Sequence, residues 1–516
     1  MPSSNSEDRF PTFARGANWL ISWGTIRKVV IVILILTTAA GLFYTEEKQR
    51  GRRVWQKYKR ELEARGERLD PAAFIPPAVL PDQNFATTPL LAPLFNYSRD
   101  SFGANTWKDS NGVARAMSFG AWLDDVSFAH GWSEGHRLDL GKIQTSLLAL
   151  TNKIVSERLV SRIELSPPHH LSAAARPEEE ILFVLAQLKP DLDELRAALR
   201  RPQSRFPLHY QDNFSMLIPH LKVLMRAVDI LTLQALAELQ SGKTDDAFAD
   251  TITALKLAET IKSEPILVSA LARAAMIHDS IQAIWEGLLD HRWNENQIRA
   301  LQEQLAPVDF LNDYQQCIRS ELAFIVVLVE PITWKEMAAF AGDNNDPMFR
   351  LMPRGWLYQN LLSIARAHEE ISLPSVDVKN QRAYVSRVTS GAQEFLKPGP
   401  FNILNRLALP NLESCLRRFS AEQTAANEAV VACALERFRQ GKGNYPGKLE
   451  EISPGFLEKI PHDVTNGQPL KYRREANGFI LYSVGWNERD DDGTPSTERR
   501  GSGNGDWVWT SAATPK

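Results

Sequence analysis

Near the C-terminus the side chains able to do chemistry are carboxylates: Asp490-Asp491-Asp492-Gly493, then Asp506 ahead of Trp507-Val508-Trp509. Such oxygens, helped by carbonyls of a glycine-rich loop, suit a hard cation that takes six to eight ligands. Three adjacent aspartates cannot all converge on one ion, and their repulsion raises their pKa values unless a cation is present. Arg489, Arg499 and Arg500 offer the alternative of a solvated acidic turn satisfied without metal. His130, Glu134 and His136 are also close in sequence, but the glycines between them break the helical face that a His-Glu-x-x-His site requires. His169-His170 follows Pro167-Pro168 and reads as an exposed turn. Trp107, Trp122 and Trp132 suit either a glycan or peptide groove or, more simply, core packing. No nucleophile elbow, phosphate loop, dinucleotide fingerprint or zinc-cysteine set occurs. The enzymatic alternative is therefore a cell-envelope hydrolase whose site forms from distant residues of the helical body.

Composition bounds the rest. The 516 residues are 44% hydrophobic and 23% charged, enough for two or three real cores. A net charge of -3 supplies no global field for nucleic acid, which is not expected as a partner. Cys317, Cys415 and Cys433 are odd in number and far apart, so disulfides are not the scaffold.

The elements that must position these groups begin with Ile26 to Tyr44, IRKVVIVILILTTAAGLFY. Its uncharged part is roughly 24 Å long as a helix, short for a span, but Arg27 and Lys28 can snorkel and Tyr44 can sit at the far interface. A single-pass anchor is the expectation. The rival is a cleaved signal peptide, for which Thr38-Ala39-Ala40 supplies small residues. A charged stalk follows, with Val54, Tyr58 and Leu62 as its apolar stripe, until Pro71 stops it. Pro76-Pro77, Pro81, Pro89 and Pro93 then keep the chain extended across a larger body, with Phe85, Leu90, Leu91 and Phe95 threading it.

From about Leu138 to Leu416 helical periodicity dominates. Pro190 fits a first helical turn, and Asn294 with Gln297 forms a capping pair. Leu322 to Val329 is too short to span a bilayer and reads as a buried helical segment. Leu231–Gln240 and Asp246–Ile261, split by Gly242 with Thr244 as N-cap, resemble one tetratricopeptide unit, although no regular repeat accompanies it. The plainer alternative is an ordinary helical hairpin. Further on, Ser420 with Gln423 predicts a new helix start, carrying Ala426, Val430, Cys433, Ala434 and Phe438 on one face. Gly441 and Gly443 end that helix. Pro469–Arg473 and Phe479–Val484, separated by Asn477-Gly478, predict a hairpin that it can cover.

Ala434-Leu435-Glu436-Arg437-Phe438, Gly443-Asn444-Tyr445-Pro446, Ile460-Pro461-His462-Asp463, Gly467-Gln468-Pro469-Leu470-Lys471-Tyr472 and Leu481-Tyr482-Ser483-Val484-Gly485 together resemble the globular region of type II secretion system major pseudopilins. The whole chain also looks similar to large membrane-anchored proteins of planctomycete and verrucomicrobial type, including Asn84-Phe85-Ala86 with Pro89-Leu90-Leu91, a likeness that implies lineage and no activity. The pseudopilin resemblance implies a calcium site after the final strand, which places its donors at Asp491, Asp492 and Asp506. The glutamate that pseudopilins carry early in the mature apolar helix is missing from Val29 to Leu36. A fixed membrane protein bearing the module is therefore expected rather than a processed subunit.

These readings give a mainly α chain: N-terminal tail 1–25, transmembrane anchor 26–44, helical stalk 45–70, proline-rich and tryptophan-containing extended region 71–136, helical domain with one tetratricopeptide-like hairpin 137–419, and pseudopilin-like α+β module 420–516. Lys48, Arg50, Arg52, Arg53, Lys57, Lys59 and Arg60 after the span outnumber Arg9, Arg15, Arg27 and Lys28 before it, which favours a cytoplasmic body. The resemblance implies a periplasmic one, at the inner membrane, and that is the reading followed. The expected role is interaction or assembly with a protein or peptide partner.

Overall fold

The computed structural model describes residues 23–99, 105–126, 131–156, 176–334, 336, 352–476, 478–495 and 505–512. The chain is mainly helical. Among the described residues its α-helices are α1 (Trp23–Ala64), α2 (Ser110–Ser118), α3 (Leu140–Ser156), α4 (Pro177–Leu185), α5 (Lys189–Ala198), α6 (Pro219–Gln240), α7 (Thr244–Glu259), α8 (Leu267–Leu289), α9 (Glu295–Leu305), α10 (Phe310–Val329), α11 (Gly355–Ala367), α12 (Val385–Phe395) and α13 (Ile403–Lys442). Two small antiparallel ladders, β1 (Tyr97–Arg99) with β2 (Asn105–Trp107) and β3 (Val376–Asp377) with β4 (Arg382–Ala383), precede a three-stranded sheet of β5 (Lys471–Glu475), β6 (Gly478–Ser483) and β7 (Trp507–Thr510).

Two compact units divide the chain. One takes the described residues of Met1–Glu67, Leu328–Ile364 and Pro398–Asn405; the other takes those of Arg68–Val327, Ala365–Lys397 and Arg406–Lys516. In the first, α1 is long and apolar enough to cross a membrane, and its apolar window is wholly exposed. Beyond Tyr44 the helix continues without a break. Its inward stripe is Gly51, Trp55 and Leu62, whereas Val54, expected on that stripe, is 40% exposed. The reason is polar: Trp55 Nε1, Gln56 Nε2 and Lys59 Nζ all donate to the Glu330 carboxylate, at 3.2, 2.8 and 3.1 Å, which rotates that face inward.

In the second unit the proline-rich stretch lies across the helical body with Phe85, Leu90, Leu91 and Phe95 buried. Asn84 pins it, donating to the Arg205 carbonyl and accepting from the Arg205 amide, both at 2.8 Å. Proline opens α5 as expected, and Asn294 and Gln297 form a reciprocal cap on α9. Gly242 turns the α6–α7 hairpin with φ +77°, a conformation glycine adopts without strain. Thr244 is the first helical residue there; the cap position belongs to Lys243. Most of α10 from Leu322 to Val329 is buried, but Val327 is 48% exposed.

The expected helix start at Ser420 is corrected. Ser420 lies inside α13, its hydroxyl donating to the Leu416 carbonyl at 2.9 Å. Gln423 does not cap; its Oε1 accepts from the Phe310 amide at 2.7 Å and its Nε2 donates to the Val308 carbonyl at 3.1 Å. A capping-box pattern inside a helix simply found tertiary partners. The hairpin expected around Asn477-Gly478 forms as β5–β6, with Tyr472 opposite Leu481; Asn477 lies outside the described residues. β7 then adds to β6, placing Trp509 opposite Leu481.

Candidate functional site

Along α13 a stripe of small residues, Ala425, Ala429 and Ala432, is buried together with Glu428 and Glu436. Helical spacing puts these five on one face, since residues three and four apart are neighbours. The alanines bring the helix close to its partners. The glutamates need polar ones.

Glu436 has them. Its Oε2 accepts from the Tyr445 hydroxyl at 2.8 Å and Arg439 Nε at 2.9 Å; its Oε1 accepts from Arg439 Nη2 at 2.6 Å and lies 3.0 Å from His291 Nδ1. Burial, reinforced by this carboxylate, drives the Tyr445 phenol far above its ordinary pKa. Tyr445 is thereby fixed as a donor, edge-on to Phe479 of β6 at 5.0 Å. Trp285, Tyr445, Phe479 and Trp509 surround Glu436 in a cleft with room for little more than a water molecule.

Glu428 is more isolated. It is 1% exposed, takes a backbone hydrogen bond from Ser483, and its buried Oε1 has no hydrogen-bond partner among the described residues. Burial, followed by the nearby Asp463, raises its pKa well above the carboxylate range. Asp463 is satisfied: Oδ1 accepts from the Thr465 amide and hydroxyl at 2.9 and 2.7 Å, and Oδ2 from the Val484 amide at 2.9 Å. An acid of raised pKa on the helix thus lies near a fully bonded aspartate under the sheet.

The acidic loop after β6 distributes its carboxylates. Asp506 is 1% exposed and accepts from the Gly493 amide at 2.7 Å and the Asp491 amide at 3.2 Å. Burial pushes its carboxyl up, against the pull of those amides. Asp491 accepts from Asn487 Nδ2 at 3.0 Å, and Asp492 is exposed with φ +57°. Asp490 points elsewhere, to Lys471 Nζ and the Tyr482 hydroxyl, each at 3.1 Å; the Lys471 bond holds it below its ordinary pKa. The structure therefore brings Asp491 and Asp506 together and leaves Asp492 on the surface. Among the described residues no group of three or more His, Cys, Asp or Glu side chains is arranged to hold a metal. Arg499, Arg500, His130 and His169-His170 lie outside the described residues. Trp122 and Trp132 are buried in the core, and half-buried Trp107 donates to the Leu94 carbonyl at 3.3 Å.

One further carboxyl stands apart. Burial, then neighbouring Asp250, lifts Glu238 at the end of α6 to about 8. Asp250 itself pairs with Arg196 Nη2 at 2.6 Å. Because the folded value exceeds the unfolded one, the fold holds this proton more tightly. Stability is therefore lost as pH rises from the ordinary glutamate value through about 8. Glu238→Gln should raise stability by roughly 1–2 kcal/mol near pH 8, allowing for solvent screening, and change little near pH 5. Thermal melts at the two pH values check this; equal shifts would contradict it.

The signal for the two α13 glutamates lies in the sequence as acids interrupting an alanine stripe; motif matching reaches Glu436 alone and leaves Glu428 out. Family models, curated proteins and solved structures yield no match to this chain.

Proposed function

We propose that this chain is a single-pass inner-membrane protein, held through residues 26–44, whose C-terminal segment 420–516 acts as a pseudopilin-like α+β head in interaction or assembly with a protein or peptide partner, as part of a secretion or pilus-like system. The body is assigned to the periplasmic side. The observation that carries the reading is convergence: Glu436, Tyr445, Asp463 and Leu481, all from the segments that resemble pseudopilins, pack within one junction of α13 and β5–β7. For the hydrolase alternative, the neighbouring carboxyls Glu238 and Asp250 of the helical body are both buried.

β5 is an edge strand whose exposed residues are Lys471, Arg473, Arg474 and Glu475, charges that discourage indiscriminate strand pairing. A docking partner on this edge would be acidic. Affinity capture of the full chain from gently solubilised membranes should recover a defined partner that Arg473→Glu with Arg474→Glu loses. An unchanged set of partners would count against the head as the docking element.

Calcium is proposed at Asp491, Asp492 and Asp506. The support is electrostatic: a buried Asp506 beside Asp491 and Asp490 is relieved by a cation. Calcium should raise the thermal midpoint over that with chelator, and an identical midpoint would remove the metal.

A further inference from the structure

The first unit carries a second feature, set a short distance past the apolar part of α1. Gly51 of α1 and Gly355 at the start of α11 meet backbone to backbone: a Cβ on Gly355 would overlap the Glu47 carbonyl, and one on Gly51 would overlap the Gly355 carbonyl. Only glycines permit this approach. Trp356, next in α11, donates from Nε1 to Glu47 Oε2 at 3.0 Å, so the crossing is fixed in rotation as well as in height.

Height decides the environment. Glu47 to Gly51 follow Tyr44 by roughly 4–10 Å along a helix axis. The headgroup layer on each face of a bilayer is about 5–8 Å thick. The crossing therefore falls within or at the edge of that layer. Pro398–Asn405 is bound to α11 there: Asn360 Nδ2 donates to the Pro400 carbonyl at 2.7 Å, and the Leu404 amide donates to Asn360 Oδ1 at 3.1 Å. This segment holds Phe401 edge-on to Trp356, with ring centroids 5.6 Å apart, and leaves it 37% exposed. An aromatic pair with one polar tip satisfied and one apolar ring uncovered matches the interfacial layer of a membrane. Exposed Lys48, Arg52 and Arg53 on the same stretch of α1 suit anionic headgroups.

We propose that Trp356, Phe401 and the segment Pro398–Asn405 form a collar seated in the lipid headgroup layer, so that the first unit binds the bilayer surface as well as crossing it. The proposal rests on α1 being a membrane span.

The test uses the full chain in vesicles of phosphatidylcholine with a minority of phosphatidylglycerol. Environment-sensitive probes are placed singly at Phe401→Cys, Leu36→Cys and Lys57→Cys in a Cys415→Ser background; Cys317 and Cys433 are buried. Lys57 is the aqueous control, with its side chain 82% exposed. Lipids carrying a nitroxide at the headgroup should quench the Phe401 probe about twofold more than the Lys57 probe, and a chain-centre nitroxide should quench the Leu36 probe. Quenching at Leu36 with none at Phe401 beyond the Lys57 level overturns the collar and leaves the span standing. No quenching at Leu36 overturns the span reading itself. Energy transfer between Phe401 probes on different copies, without lipid quenching, assigns the surface to a second copy and overturns the collar.

Discussion

Trp285→Ala should release β6 and β7 from the helical body at a cost of about 3–5 kcal/mol. Trp285 sits on α8, is 1% exposed, and donates from Nε1 to the Thr510 carbonyl of β7 at 2.8 Å. Its ring lines the cleft with Tyr445, Phe479 and Trp509. Truncation removes the ring's contacts, leaves a void that such a tight site cannot fill, and strands a carbonyl. Hydrogen exchange should therefore accelerate first in residues 478–483 and 507–510. A fall in the thermal midpoint with unchanged protection of those strands would mean that Trp285 serves only the helical core.

The second large effect separates two buried acids, one fully bonded and one with an unbonded oxygen. Asp463→Ala should cost about 2–4 kcal/mol, because the buried Val484 amide and the Thr465 groups lose their acceptor. Glu428→Gln should do the reverse. The folded-state pKa of Glu428 is raised, so the stability tied to its protonated form is complete below the ordinary glutamate value and is lost as pH rises above it. Glutamine keeps an oxygen for the Ser483 amide and carries no charge near Asp463 at any pH. The variant should match the parent in mild acid and exceed it increasingly toward alkaline pH. A stability loss at neutral pH would show that Glu428 is ionised and paired.

Much of the architecture was legible because it depends on local pattern. The apolar run of Ile26 to Tyr44 sits in one long helix, Asn294 with Gln297 caps α9, Pro190 opens α5, and Gly478 begins the second strand of the expected hairpin. What local pattern misled was the partnering of side chains across the fold. Ser420 and Gln423 mimic a helix start, yet α13 passes through them because Gln423 bonds the Val308–Phe310 backbone instead. Val54 has the periodicity of an inward residue, but Glu330, distant in sequence, recruits Trp55, Gln56 and Lys59. The pairing of β7 with β6 lies beyond local pattern, since it spans the whole acidic loop. Of the proposed calcium donors, proximity in sequence makes Asp491 and Asp492 equivalent; the fold bonds the Asp491 amide to Asp506 and its carboxylate to Asn487, and leaves Asp492 exposed.

The proposed role has the C-terminal segment meeting another protein while α1 holds the chain in the membrane. Amine-reactive cross-linking in intact membranes, read by mass spectrometry, tests it most directly through the exposed lysines Lys442, Lys448, Lys459 and Lys471. The expected result is recurrent links from these lysines to one membrane or secretion-type partner. Links confined to this chain, with abundant partner links from other regions, would contradict it.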